Sequence, residues 1–281
     1  MSRITEIVRE TLITAGSTFS EGKKQIFREA IANETNENAR WALKAILENA
    51  EVAEKNKSPL CDDTGIPHLF IEIGRKRALT GEMLDSIYLG VEQGLRILPG
   101  RPMNILGNDM QKIDQSGGLD PDPASVMAAP LMIRLVDEDI IRLHILLLGG
   151  GPAIRGKTYR IYHKHSLETI RNEIVTWSNE AVKLLGCTPC TLAIGIGRSH
   201  YEAAFLMMEA QVYGRYDIQS SFERQITNDV NESHIGTLGL GGDVSVLATF
   251  LRVGPQRASG VRIVSLCPCC SVEPRVASVD L

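Results

Sequence analysis

The sequence predicts an α+β chain in which an N-terminal helical cap precedes a mixed, largely antiparallel sheet region with flanking helices, all within one large domain spanning residues 1–281. Three observations predict it. Residues 1–57 carry helical periodicity with few breakers, residues 58–281 alternate short apolar runs with amphipathic stretches, and no repeat, low-complexity tract or Pro/Ser-rich linker divides them. At 281 residues the chain can bury a core without staples.

The elements follow in order. EIVRETLITAG and ARWALKAILENAEVAEK supply the helices of the cap, the latter with apolar residues recurring at three and four. After the turn Cys61-Asp62-Asp63-Thr64-Gly65, HLFIEIG (68–74) reads as a strand, and residues 81–100 read as a helix stopped by Pro99 and Gly100. PLMIRLVDEDIIRLHILLLGGG reads as two apolar strands paired around the acidic turn Asp137-Glu138-Asp139 and running into Gly149, Gly150 and Gly151. Residues 166–185 form an amphipathic helix with Ser166 as N-cap. TLAIGIG (191–197) is a short strand that stops at glycine before a helix beginning near His200. The tail alternates the glycine-rich IGTLGLGGD (235–243) with the apolar runs VSVLATFLRV and GVRIVSLC.

Composition narrows the function. Hydrophobic residues at 43%, charged residues at 23% and a net charge of -4 leave no basic excess to hold nucleic acid or an anionic membrane. No apolar run reaches the roughly 20 residues a membrane helix needs, and the start MSRITEIVRETL lacks the apolar centre of a signal peptide, so a cytoplasmic location is expected. Six cysteines in a reducing compartment are then not disulfides. Five fall into two tight groups, Cys187/Cys190 in GCTPCT and Cys267/Cys269/Cys270 in LCPCCS, while Cys61 stands alone beside two carboxylates.

That distribution suits metal ligands. One reading is a structural or assembly protein with tetrahedral zinc on Cys187, Cys190, Cys267 and Cys269. The other is an iron–sulfur cluster drawing thiolates from separated segments, Cys61 among them, and leaving one iron open for substrate. Buried inert thiols are the bland alternative. Gly151 to Thr158 matches the phosphate-loop expression literally, yet Pro152 and Ile154 crowd the cradle, so residues 149–157 are better read as an anion loop for carboxylate, with Lys157 at its end. Among the histidines, His234 beside the glycine-rich loop is the acid/base candidate, and His68, His144, His163 and His165 are structural.

Taken in order, these motifs resemble the α subunit of the class I (iron–sulfur) fumarase and L-tartrate dehydratase family, from about residue 45 onward. The family's CxDTG turn matches Cys61 to Gly65, its GGG loop with a following basic residue matches Gly149 to Lys157, and its CPPxxxxxGIG strand matches Cys187 to Gly197. Its IGPxGLxG loop matches Ile235 to Gly242, and its closing strand ending in cysteine matches Gly260 to Cys267. The resemblance implies a [4Fe-4S] cluster on Cys61, Cys187 and a third cysteine. Counting from Gly260 makes that Cys267, anchoring on Arg257 makes it Cys269, and the adjacent Cys270 is a third candidate, so all three stay open. It also implies Asp63 as the active-site aspartate, Arg101 as a substrate-clamping arginine, substrate carboxylate on Gly149, Gly150 and Gly151, and a hydro-lyase reaction on a small hydroxy-dicarboxylic acid. A separate β subunit, in an α2β2 or other hetero-oligomer, is implied as well. The chain departs from the family pattern at Asp62, where glutamine is usual, at Thr188 in place of proline, and at Gln256-Arg257, where a histidine is expected.

Overall fold

The computed structural model describes residues 2–98 and 100–281, so Pro99, expected to stop a helix together with Gly100, lies outside the described residues. In chain order it forms helices α1 (Arg3–Ser17), α2 (Glu21–Asn33) and α3 (Glu37–Asn56), strand β1 (Ile66–Gly74), and helices α4 (Gly81–Ile97) and α5 (Asp109–Asp114). Strands β2 (Met132–Val136) and β3 (Ile141–Leu148), the short helix α6 (Gly150–Arg155), strand β4 (Lys157–Tyr162) and helix α7 (Leu167–Leu185) follow. Strand β5 (Cys190–Gly197), helices α8 (His200–Tyr213) and α9 (Ser221–Asn231), and strands β6 (Val246–Val253), β7 (Val261–Cys269) and β8 (Arg275–Asp280) complete it. The α+β class is as expected. Helix starts are set by hydroxyl caps: Ser2, Ser20, Thr80, Ser166, Ser199 and Ser220 each accept the amide three residues on, satisfying a donor that the helix cannot.

The chain folds into two compact units, each around its own four-stranded sheet. The first comprises residues up to Thr18, Ala50–Gly149 and Arg275–Leu281; the second comprises Phe19–Asn49 and Gly150–Pro274. The expected cap is therefore divided, with α1 in the first unit and α2 in the second.

In the first unit the strand order is β2-β1-β3-β8. Its core packs α1 and α4 (Val8, Leu12, Ile87, Val91, Leu95) on the odd-numbered side chains Leu69, Ile71, Leu143, Ile145 and Leu147, as the two-residue period of a half-covered sheet requires. The expected β2–β3 hairpin does not form. Strand β1 lies between them, parallel to β2 (Phe70↔Met132) and antiparallel to β3 (Phe70↔His144). With strands about 4.8 Å apart, residues 137–140 are long enough to pass over the end of β1. That crossing is held by the Gly74 amide on the Ile140 carbonyl (2.8 Å) and by Arg75–Asp137 and Arg77–Asp139 ion pairs at 3.1 and 2.9 Å.

In the second unit the order is β4-β7-β5-β6, with β5 antiparallel to β7 and parallel to β6. The even-numbered residues of β5, Cys190, Leu192, Ile194 and Ile196, face a core with Ile174, Trp177 and Val182 of α7 and Ile226 and Val230 of α9. The odd-numbered Gly195 and Gly197 face α8. A Cβ on Gly197 would stand 2.6 Å from the Ala203 amide nitrogen, so the GIG repeat lets helix backbone lie directly on the strand. Among the described residues no helix is long and apolar enough to cross a membrane.

Burial holds the imidazoles of His68 and His144, on the face of the first sheet opposite α1, below the ordinary range near 6.5. The folded chain keeps them neutral while the unfolded chain takes protons, so their stabilising effect is complete above about pH 6.5 and is lost as pH falls below it. The urea midpoint of the chain should therefore decrease from pH 7.5 to pH 5.5, and His68→Asn should shrink that decrease; an unchanged pH profile in the variant contradicts the assignment.

Candidate active site

In the first unit, Cys61-Asp62-Asp63-Thr64-Gly65 turns sharply into β1. The Thr64 amide and the Arg101 amide both donate to the Asp62 carbonyl, at 3.0 and 2.9 Å, so the segment after α4 is fastened to the turn. Gly65 has φ +87°, and a Cβ there would lie 2.7 Å from the Leu148 carbonyl carbon and 2.9 Å from a guanidinium nitrogen of Arg275. Only glycine fits that left-handed position against backbone. Arg275 is 2% exposed, and its Nη1 donates to the Asp63 carbonyl at 2.7 Å.

Charged side chains meet at this turn. Asp63 Oδ2 pairs with Arg101 Nη2 at 3.1 Å, the carboxylate 16% and the guanidinium 55% exposed. Arg101 therefore presents most of its charge to solvent while Asp63 is largely enclosed. The half-buried Cys61 thiol donates to Asp62 Oδ1 at 3.4 Å. Burial pushes the thiol up from its ordinary value, and the Asp62 carboxylate adds to this. The bond from Cys61 and then the Asp63 amide hold Asp62 below the usual carboxylate range. Gly149, buried at the end of β3, adjoins Leu148 and so the same turn. The structure thus brings together four of the expected residues, Cys61, Asp63, Arg101 and Gly149. Sequence reasoning missed Arg275, whose only signal was a lone cation in an alternating strand-like tail.

In the second unit the remaining cysteines sit on and beside the β5–β7 ladder. Cys187 is exposed, Cys190 is buried, and Cys267 and Cys269 are 2% and 0% exposed. Thr191 pairs with Cys269 and Ala193 with Cys267, so both thiols point to the face that bears α8. Cys190 belongs to the core on the other face. The set Cys187, Cys190, Cys267 and Cys269 does not converge as tetrahedral zinc requires, and among the described residues no three His, Cys, Asp or Glu side chains do. A cube of iron and sulfide takes one thiolate per iron, so its ligands need not share a point, and separated thiols on different segments suit it. None of the six cysteines is in a disulfide.

The glycine-rich loop after α9 stands beside Cys187. Thr188 Oγ1 donates to the Gly236 carbonyl at 2.6 Å, and the Leu238 amide donates to the Thr188 carbonyl at 3.1 Å. From the opposite side the Glu34 carboxylate, 1% exposed, accepts the amides of Asp243 (3.0 Å) and Val244 (3.2 Å). Gly242, at φ +106°, would place a Cβ 2.5 Å from that carboxylate. His234 lies on the exposed rim of this loop, its Nδ1 3.2 Å from the Gly242 carbonyl oxygen and 4.0 Å from Asp243 Oδ1.

Two expectations on the anion loop change. Gly150 and Gly151 are not in a loop but begin the helical turn α6, whose Arg155 donates to the Leu184 carbonyl of α7. Lys157 heads β4 opposite Leu266, on the face away from Cys267, with its ammonium 3.6 Å from Glu180 Oε2 and 5.1 Å from the Trp177 ring centre. Its charge is engaged in packing α7 onto the sheet. At the family's histidine position, Gln256 donates to the carbonyls of Ile196 (3.1 Å) and Gly254 (2.9 Å), a strand-end tie with no acid–base capacity.

The model of the fumarate hydratase (Fumerase) family matches residues 5–279. The chain belongs to this family. It is a hydro-lyase of the class I fumarase and tartrate dehydratase group. A relative from Methanocaldococcus jannaschii named putative L(+)-tartrate dehydratase subunit alpha is 26% identical over 97% of this chain and 96% of its own length. The L(+)-tartrate dehydratase subunit alpha of Escherichia coli K12 is 19% identical over 94% of this chain and 86% of its own. A putative fumarate hydratase class I from Geobacillus stearothermophilus is 23% identical over 74% of this chain, but the match spans only 41% of that longer protein.

Gly65→Ala combines a forbidden backbone angle with overlap against strand backbone, and should cost about 3 kcal/mol in chemical denaturation. A loss below about 0.5 kcal/mol would show that the turn relaxes freely.

Proposed function

We propose that the chain is the α subunit of a [4Fe-4S]-dependent hydro-lyase that reversibly dehydrates a small hydroxy-dicarboxylic acid of the malate or tartrate type in the cytoplasm. The observation that carries this is the Asp63–Arg101 pair on the turn that bears Cys61. Cys61, Cys187 and a third cysteine of the terminal group would hold the cluster; its open iron supplies Lewis acidity toward the leaving hydroxyl and an adjoining carboxylate. Thiols outside any disulfide, placed on separate segments, fit that donor set.

The chain's own groups divide the remaining work. Arg101, mostly exposed, offers a planar guanidinium to a substrate carboxylate. When it does so, its bond to Asp63 Oδ2 is released, and that oxygen becomes the base for the proton on the carbon next to the leaving hydroxyl. Arg275 below the turn keeps Asp63 in register by holding its carbonyl. Backbone amides of Gly149, Gly150 and Gly151 are the proposed contacts for the second carboxylate, and His234 the candidate proton donor on the loop beside Cys187.

A β partner completes the enzyme. Two of the relatives are named as alpha subunits, and the fumarate hydratase relative carries more than twice the length matched here in one chain. An α2β2 or other hetero-oligomer is the proposed assembly.

Cys61→Ser should abolish both cluster and turnover in the complex with the β subunit. Asp63→Asn should retain the iron while lowering kcat by about 10²–10⁴-fold, the usual contribution of a positioned proton acceptor. A Cys61→Ser protein with full iron content and full turnover would refute the assignment.

A further inference from the structure

Strand β6 is an outer strand of the sheet in the second unit, and the segment between α8 and α9 lies beside its end. Between them is a cavity of about 240 Å³, lined by Tyr213, Gly214, Arg215, Ile218, Phe250 and Arg252 among others. Sites for drug-sized ligands begin at roughly 300 Å³, so this one suits a smaller molecule. Its aromatic wall is fixed from both sides. Phe250 packs edge-on against Tyr216, with ring centres 5.0 Å apart. A Cβ on Gly214 would overlap the Phe250 ring, so glycine is what lets the loop backbone lie on that wall.

The charged groups at this cavity are not equally engaged. Glu223 Oε1 accepts the Leu251 amide at 2.8 Å, and Oε2 accepts the Ser220 amide and hydroxyl at 2.6 and 2.7 Å, so that carboxylate is taken up in joining α9 to the strand. Arg215 is forked onto Asp217, at 3.1 and 2.5 Å. Arg252 differs from both. Its guanidinium carbon lies 5.2 Å from the centre of the Tyr213 ring, and among the described residues it has neither an ion pair nor a hydrogen bond. A guanidinium stacked on an aromatic face keeps its N–H edge open to a planar carboxylate. The other lining cation, Arg215, already carries a counter-ion, so the site matches one negative charge on an apolar body.

We infer that this cavity binds a small aromatic monocarboxylate, with the carboxylate on Arg252 and the ring against Phe250 and Ile218. The site is separate from the proposed cluster chemistry. Pairing of β5 with β6 starts at Cys190↔Val246, just after Cys187, whereas the cavity lies at residues 250–252 of β6. At about 3.3 Å per residue the two places are about 13–20 Å apart along the strand. A ligand bound here bridges the loop after α8 to the strand end and holds that loop in place.

Calorimetric titration of the full chain with sodium benzoate should give a Kd near or below about 1 mM, within reach of a ligand of this size. Benzamide, neutral and of the same shape, should bind at least about tenfold more weakly, the loss expected with a charge-assisted bond. Arg252→Gln, at an exposed position outside the core, should weaken benzoate by a similar factor. Arg101→Gln should leave benzoate affinity unchanged, which separates this site from the Asp63–Arg101 pair. Bound benzoate should slow amide exchange in the peptide covering residues 214–219 and not in that covering residues 61–65. Equal affinity for benzoate and benzamide, wild-type affinity in Arg252→Gln, loss of binding in Arg101→Gln, or no saturable binding at all would each overturn the inference.

Discussion

A guanidinium buried to 2% exposure sits beneath the turn that carries the first proposed ligand and the proposed base. Burying such a charge is costly unless it is bonded, and Arg275 uses the Asp63 carbonyl to satisfy part of that requirement. The same guanidinium and the Leu148 carbonyl leave no space for a side chain at residue 65, which is why the turn needs glycine with a positive φ. Arg275 opens β8, the last strand, and β8 pairs with β3 from Leu147↔Arg275 to Arg142↔Asp280. The position of Cys61, Asp63 and Arg101 in the first unit therefore depends on the final seven residues of the chain as much as on the turn's own sequence.

The second unit solves a related problem with different means. Its central strand is buried on both faces, so the residues beside it are divided by strand period into those that face α7 and α9 and those that face α8. Thiols within the ladder become interior packing groups, while Cys187 before β5 and the loop after α9, which Thr188 and Glu34 hold from two sides, lie at strand ends. Reactive groups at the ends of rigid strands are positioned by the sheet without being covered by it.

Much of this was legible in the residues because the signals were local. A hydroxyl cap marked the helix start at Ser166, and a short run that stops at glycine marked 191–197 as a strand before a helix near His200. The ordered motifs pointed to Cys61, Asp63, Gly149 and Cys187 as candidates. What was not legible depends on partners far away in sequence. The two apolar runs flanking Asp137 looked like a hairpin because nothing nearby reports that β1 takes the place between them. Gly149 to Gly151 looked like one loop, although a strand ends and a helix begins within it. Lys157 looked like an anion ligand until its register opposite Leu266 turned it toward Trp177. Arg275 carried no pattern that could have announced a role under residue 63.

The central claim is that these thiols hold an iron–sulfur cluster. It is tested most directly by purifying the chain without oxygen and measuring iron, acid-labile sulfide, zinc and the visible spectrum on the same sample. The account predicts a brown protein with about four irons and four sulfides per chain that bleaches on exposure to air. A colourless, air-stable protein holding zinc and no iron would contradict it.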